Sequence, residues 1–223
     1  MNKKIAVVIF GPPGSGKGTQ ADLLAEKFGL NHINTGKLIE KVVHDPQYAN
    51  NEKIQDERKK YDSGVLVSPS WALELVSRFV NEYAAEGKGV IFSGSPRTMD
   101  EAKGMDGNPG LIEVLEQVYG KEGVFPFEIK LSNESSIRRN SSRWICIPTG
   151  KPVRDPSECD GEVQKRTDDK PEVIKDRLVE YETRTLPVVE EFNRAGLKVF
   201  EIDGEPEVEE VHKQFMSHFD GHN

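Results

Sequence analysis

The chain is predicted to fold as a three-layer α/β structure around a central parallel sheet of about five strands. Two features of its 223 residues carry that expectation. Short apolar runs alternate with segments of helical periodicity, the pattern of βα units laid on a parallel sheet. The first apolar run, Lys4-Ile-Ala-Val-Val-Ile-Phe10, also leads straight into Gly11-Pro-Pro-Gly-Ser-Gly-Lys-Gly-Thr19. Such a glycine-rich connection carries a buried strand into a helix around a phosphate chain.

In order, residues 4–10 read as the first strand and 17–28 as a helix that opens on the glycine-rich loop. A short strand is expected around 32–34. Residues 37–67 then break the alternation. They are dense in charge, with Glu52-Lys-Ile-Gln-Asp-Glu-Arg-Lys-Lys60 at their centre, a run expected to be a solvated helix face. Helix 70–86 sets Trp71, Leu75, Val76 and Phe79 at helical spacing toward the core. Strands 89–93 and 127–131 and helix 133–143 come next. Residues 144–165 break the pattern again with Pro148, Gly150, Pro152, Pro156 and Gly161, and long excursions of this kind serve as lids or linkers. A long helix over about 171–195, bent at Pro187, strand 198–202 and an amphipathic helix 205–219 with Val208, Val211 and Phe215 complete the chain.

Composition narrows the function. A net charge of -8 and an isoelectric point near 5.3 leave no excess of Lys and Arg to replace phosphate counterions, which argues against a nucleic-acid partner. Met1-Asn2-Lys3-Lys4 and the apolar run after it resemble a signal peptide superficially, but the run stops at Gly11 without a small-residue cleavage site. No stretch has the length of a membrane span, so a cytoplasmic protein without a membrane partner is expected. Two cysteines, Cys146 and Cys159, are too few for a disulfide scaffold.

The Gly-x-x-x-x-Gly-Lys spacing lets successive backbone N–H groups wrap a phosphate chain, with the helix N-terminus pointing its positive dipole end at the anion. Lys17 would reach the terminal phosphates, and Gly14, Ser15, Gly16 and Gly18 would complete the cradle. The hydroxyl that helps hold magnesium comes one place late, at Thr19.

Written Gly-x-Pro-Gly-Ser-Gly-Lys-Gly-Thr-Gln, this loop resembles that of adenylate kinases and related nucleoside monophosphate kinases. Further motifs extend the resemblance from residue 4 to past 204. Asn34-Thr-Gly36 is similar to the family's Thr-Gly that opens the segment over the acceptor nucleotide, and Gly64-Val-Leu-Val67 to the Gly-x-Leu-Val that closes it. Gly94-Ser-Pro-Arg-Thr98 is similar to Gly-Phe-Pro-Arg-Thr, whose arginine, here Arg97, grips the acceptor phosphate. Arg139 and Arg143, at i and i+4 on one helix face, match the arginines before the lid. Arg166-Thr-Asp-Asp169 matches the exit of the lid, and Arg177-Leu-x-x-Tyr181 and Ile202-Asp-Gly204 match motifs of the C-terminal core.

The resemblance implies a P-loop kinase fold with core 1–35, an acceptor-binding segment 36–67, core 68–143, a lid 144–166 and core 167–223. It implies ATP and magnesium as cofactors, small nucleotides as partners, a monomer, and a place in nucleotide biosynthesis. The expected reaction is ATP plus AMP giving two ADP. In it Lys17 bridges the donor phosphates, Arg139 lies against the donor adenine, and Arg143, Arg166 and Arg177 clamp the transferring group. Thr35, Gly36, Gly94, Arg97 and Glu101 belong to the acceptor. Guanidinium forks suit this chemistry, because phosphoryl transfer is driven by positioning and charge stabilisation.

Four positions depart from the family pattern. Ser93 stands where relatives carry an aspartate that orders magnesium's water shell, and Lys37 and Glu40 replace an aspartate and an arginine. Glu101 replaces a glutamine that reads the acceptor's base. An ionised carboxylate only accepts hydrogen bonds and matches the two donors on guanine's edge, so weaker discrimination between AMP and GMP is expected. Of the two Cys-x-x-Cys pairs that hold zinc in many lids, Cys146 and Cys159 are the remnants. A structural zinc wants four ligands, so a zinc-free lid with two reduced thiols is expected. A nucleotide sensor without turnover and a kinase preferring GMP are the alternatives; a P-loop hydrolase leaves a second nucleotide site unexplained.

Overall fold

Every residue of β1 (Ala6–Phe10) is buried, and a strand covered on both faces reads as an unbroken apolar run. The computed structural model describes residues 4–63, 67–166 and 169–219. After β1 come α1 (Lys17–Phe28), β2 (Asn31–Ile33), α2 (Thr35–Val43), α3 (Glu52–Asp62), α4 (Pro69–Ala85), β3 (Val90–Ser93) and α5 (Met99–Lys103). A small hairpin of β4 (Gly104–Met105) and β5 (Asn108–Pro109) leads to α6 (Leu111–Tyr119), β6 (Val124–Lys130) and α7 (Asn133–Ser142). Next are β7 (Trp144–Cys146), β8 (Pro152–Val153), β9 (Val163–Gln164), α8 (Pro171–Glu180), α9 (Leu186–Arg194), β10 (Phe200–Asp203) and α10 (Val208–Ser217).

The five-stranded sheet has the order β10-β6-β1-β3-β2, and all four pairings are parallel. Alternate side chains divide the core into two layers. Val7, Ile9, Ile91, Phe127 and Ile129 pack against Leu24, Phe215 and Phe219 on the side of α1 and α10. Ala6, Val8, Phe10 and Phe92 pack against Val76, Leu115 and Phe192 on the side of α4, α6 and α9. Three layers and a five-stranded parallel sheet agree with the fold expected from the sequence.

Two elements differ in detail. β6 begins at Val124 rather than 127, because Pro126 is tolerated there. β10 starts at Phe200 opposite Phe127, so at Pro126 the strand has a neighbour on the β1 side alone. The long helix expected over 171–195 is interrupted by a π-helical turn at Tyr181–Thr185. Pro187 then sits in the first turn of α9, directly after that π-turn.

The charged run 52–60 forms α3 and is a solvated face except at Ile54 and Glu57. Buried Glu57 accepts from Ser68 N at 2.8 Å, Ser68 Oγ at 2.6 Å and Lys60 Nζ at 2.9 Å. Burial pushes its carboxyl up, but the hydrogen bonds from Ser68 and Lys60 outweigh that and hold it below the usual range. Glu57 thereby ties α3 to the start of α4. Gly64, Val65 and Leu66 of the closing motif, and Thr167 and Asp168 near residue 166, lie outside the described residues.

The excursion at 144–165 is a three-stranded antiparallel sheet, β8-β7-β9. Here the expectation of two reduced thiols is wrong: Cys146 and Cys159 form a disulfide. β7 ends on Cys146, and a 3-10 turn at Pro156–Glu158 delivers Cys159 opposite it with the Cα atoms 5.5 Å apart, inside the bridging range. Linear spacing does not show such an approach. The bond also removes both thiols from any zinc donor set. Among the described residues no helix is long and apolar enough to cross a membrane.

The disulfide closes a loop between residues 13 apart in sequence, a constraint worth about 3 kcal/mol in the chain-entropy picture. Reduction, or Cys159→Ser, should therefore speed hydrogen exchange of the β7, β8 and β9 amides and leave those of β1 and β6 unchanged. Unaltered exchange in the small sheet would show that the bond does not hold it.

Candidate active site

The loop between β1 and α1 turns as tightly as its glycines allow. Gly11 has φ 148°, and a Cβ there would stand 2.7 Å from Ser15 Oγ and 2.8 Å from Ile129 O. Gly14 has φ 75°, and its Cβ would stand 2.5 Å from Asn140 Nδ2. Neither place admits another residue. α7 braces the loop from above: Ser136 Oγ donates to Pro13 O at 2.6 Å, and Asn140 Nδ2 donates to Ser136 O at 2.8 Å. Gly16 caps α1, Ser15 is buried beneath the turn, and Gly18 and Thr19 lie in the first helical turn.

Lys17 Nζ bridges its own loop, donating to Gly11 O at 2.7 Å and Pro12 O at 2.8 Å. It lines an open cleft of about 650 Å³ together with Gly94, Arg97, Arg177, Tyr181 and Arg184. Burial first, then Arg97, Arg177 and Arg143, bring the Lys17 ammonium down to about 7. So many cations at one point favour a polyanionic ligand.

Arg97 is anchored at three points. Its Nε donates to Gly94 O, its backbone N donates to Glu101 Oε2 at 2.9 Å, and its carbonyl accepts from Thr185 Oγ1 at 3.1 Å. Tyr181 donates from its hydroxyl to buried Glu128 at 2.9 Å. Burial and the neighbouring Glu128 carboxylate push the phenol far above its ordinary value.

Arg139 is fixed by backbone: Nη1 donates to Gly204 O at 2.7 Å and Nη2 to Glu205 O at 2.8 Å. The Glu205 carboxylate accepts from Ser135 Oγ at 2.6 Å and Ser132 N at 2.9 Å, which brings its pKa down to about 2. The Ile202-Asp-Gly204 corner is thus strapped to the N-terminus of α7. Arg143, expected on the transferring phosphoryl group, donates from both Nε and Nη2 to buried Asp169 at 2.6 Å and lies near enough to Lys17 to act on its charge. Arg177 lies on α8 facing the cleft, and Arg166 follows β9 at the end of the small sheet.

A second cavity of about 360 Å³ lies beside the first, lined by Thr35, Ala72, Leu73, Val76, Ser95 and Glu101 among others. Thr35 Oγ1 and Ser95 Oγ are 2.7 Å apart, and Gly36 opens α2 beside them. Glu101 is half-buried here, and burial raises its carboxyl above the ordinary value despite Arg97 and Thr98. It does not pair with Lys103, which reaches Glu191 Oε1 at 3.3 Å.

Several supports are invisible to sequence reasoning. Lys165 caps α7, donating to the carbonyls of Ser141, Ser142 and Arg143 at 2.8–3.0 Å, as a cation at a helix C-terminus should. Glu205 and the pair Asp22 and His32 escape it as well, as does the partner of Asp169, a residue that its own motif marks. Each acts through a partner distant in sequence, so no local pattern marks the pairing.

The family model for adenylate kinase matches residues 9–197. An adenylate kinase of Methanothrix thermoacetophila is 34% identical over 216 residues, covering 92% of this chain and 94% of the relative. One from Dehalococcoides mccartyi is 32% identical over 221 residues, covering 95% and 96%. One from Chlamydia pneumoniae is 34% identical over 203 residues, covering 88% and 89%. Neither the sensor nor the guanylate alternative is favoured by relatives of this kind. With its P-loop, its converging cations and this likeness over nearly its whole length, the chain belongs to the adenylate kinase family and is a phosphotransferase.

Proposed function

We propose that the protein transfers the γ-phosphoryl group of ATP reversibly to AMP, giving two ADP, and that it does so as a cytoplasmic monomer. The observation that carries this reading is the pair of adjoining cavities. One is ringed by Lys17, Arg97, Arg177 and Arg184 beside the P-loop, and the other is a mostly apolar hollow that ends on Glu101.

In this reading an oxygen of the AMP phosphate attacks the γ-phosphorus while the bond from that phosphorus to the β,γ-bridging oxygen breaks, the electron pair leaving with ADP. Lys17 neutralises charge on the donor phosphates, Arg97 holds the acceptor phosphate, and Arg166 and Arg177 stabilise the equatorial oxygens. Arg143 joins this clamp while its pairing with Asp169 holds the guanidinium in place. Arg139, held edge-on by two carbonyls, offers its flat face to the donor adenine.

The donor set near the loop suits magnesium carried in by the nucleotide. It offers the Thr19 hydroxyl, and no group of three or more His, Cys, Asp or Glu among the described residues could hold a metal by itself. When bound, the ion would supply charge neutralisation on the donor phosphates, with the Thr19 hydroxyl as the residue that would help hold it. Segments 36–67 and 144–166 close over the two nucleotides and exclude water, so the phosphoryl group reaches AMP and not hydroxide.

Lys17→Ala should keep the fold and lower turnover on the order of a hundredfold or more, the usual cost of one preorganised charge donor at a reacting centre. A coupled assay for ADP formation reads it, and near-normal turnover would remove Lys17 from its role.

Lys17 also makes a linkage prediction. Its pKa is about 7 without phosphate, so near pH 8 it is mostly neutral. A bound phosphate favours the ammonium and returns the pKa toward 10.5. ATP binding near pH 8 should take up about one proton, falling toward none near pH 6. Calorimetry in buffers of different ionisation enthalpy measures this, and Lys17→Ala should abolish it.

Glu101 supplies a third test. Protonated, its carboxyl has both an O–H donor and a carbonyl acceptor, the pairing that adenine's N1 and exocyclic amine require. Because its pKa is raised, AMP should bind more tightly as pH falls toward that value. Glu101→Gln should flatten the profile and widen the preference for AMP over GMP. Equal AMP-to-GMP ratios in both proteins at every pH would exclude the base-reading role.

A further inference from the structure

His32 on β2 and Ser93 at the end of β3 stand on the face of the sheet that α1 covers. His32 is in register with Ile91 and Ser93 with Ile9, and both isoleucines belong to the apolar layer beneath α1. The side chains are linked: Ser93 Oγ lies 2.6 Å from His32 Nε2, and His32 Nδ1 lies 2.8 Å from Asp22 Oδ1. Asp22 is on α1 three residues after Thr19, hence on the same stripe of that helix as the P-loop hydroxyl.

The proton positions follow from chemistry. An ionised carboxylate only accepts, so in the neutral imidazole of His32 the hydrogen sits on Nδ1, facing Asp22, and Nε2 is left as an acceptor. The single hydroxyl hydrogen of Ser93 is then committed to His32, and both lone pairs of Ser93 Oγ are free to accept. P-loop enzymes that hydrolyse nucleotides pair their loop Ser/Thr with an aspartate at the metal. Here the strand next to β1 ends in a hydroxyl, and the carboxylate stands two hydrogen bonds behind it. The Asp22 side chain is 44% exposed and the His32 side chain 20%, so the hydrogen-bonded chain is not sealed in the core, and Ser93 at its end is in register with Ile9, which lines the cleft.

We infer that Asp22, His32 and Ser93 form a positioning relay that fixes the Ser93 hydroxyl as an acceptor for a water of the magnesium ion carried by ATP. Through His32 the relay also delivers the negative polarisation that a strand-end carboxylate would supply directly. All three are positioning residues. A hydrogen-bonded staple between β2, β3 and α1 is the competing role, and it makes no demand on the metal.

The inference rests on the reading of the cleft as an ATP·magnesium site, and one titration series separates the two. ATP is titrated calorimetrically into wild type, Ser93→Ala, His32→Leu, Asp22→Asn, Ser93→Asp and the Ser93→Asp/His32→Leu double variant, each in EDTA and in magnesium. In EDTA Ser93→Ala, His32→Leu and Asp22→Asn should match wild type, and Ser93→Asp should bind ATP more weakly because its carboxylate then meets the phosphates without the metal. The tightening that magnesium brings should shrink about tenfold in Ser93→Ala and His32→Leu, the scale of one hydrogen bond to a charged partner. It should shrink less in Asp22→Asn, whose amide oxygen still accepts from His32. Ser93→Asp should restore it and make His32→Leu silent. An unchanged magnesium increment in Ser93→Ala, with or without a lowered melting temperature, would overturn the relay and leave the staple. Failure of wild type to bind ATP in either condition would instead overturn the reading of the cleft. Ser93→Ala removes one hydroxyl from a partly exposed site, so its result stands even if His32→Leu does not fold.

Discussion

Burial of β1 on both faces is the constraint on which the rest of the molecule depends. Its five residues are flanked by β3 and β6 in the sheet and covered by helices above and below. At roughly 25 cal/mol per Å² of apolar surface removed from water, moving this strand would disturb both core layers together. The loop that leaves it is therefore launched from a fixed point. Gly11 must pass within contact of Ile129 on β6, and Gly14 within contact of Asn140 on α7, so the phosphate-binding turn is moulded between the sheet and one helix and does not depend on its own sequence alone.

The cleft built on that point is electrostatically strained. Burial and three guanidinium groups bring the pKa of Lys17 down to about 7. Concentrating like charges costs stability, and the protein offsets some of it by directing donors onto itself. Lys17 binds two loop carbonyls, Arg139 two carbonyls of the β10–α10 connection, and Arg143 the buried carboxylate of Asp169. The same bonds hold each cation in place. A polyanion then meets groups already oriented, which is where the catalytic advantage of preorganisation lies.

The small sheet at 144–165 shows one structural need met in a different way. It has few apolar residues with which to build a core, and three strands of two or three residues are marginal alone. A covalent link between Cys146 and Cys159 supplies what packing does not. Lys165 adds to this at the other end, closing the last turn of α7 while its ammonium lies 4.2 Å from the centre of the Trp144 ring.

Fold class, parallel sheet and phosphate loop were legible in the order of residues, because each is written in local terms: apolar runs, helical spacing, and glycines at fixed offsets from Lys17. The motifs of the sequence also singled out Arg97, Arg139 and Arg177, and its departure from the family pattern singled out Glu101, which lines the second cavity. Tertiary structure decided what depends on approach between distant segments. Cys146 met Cys159, Arg143 turned to Asp169, Pro126 found an unpaired flank of β6, and Asp22, His32 and Ser93 joined across α1, β2 and β3. A side chain's partner is fixed by where the sheet order and helix packing carry it, and that order is a property of the whole chain, carried by no segment of it.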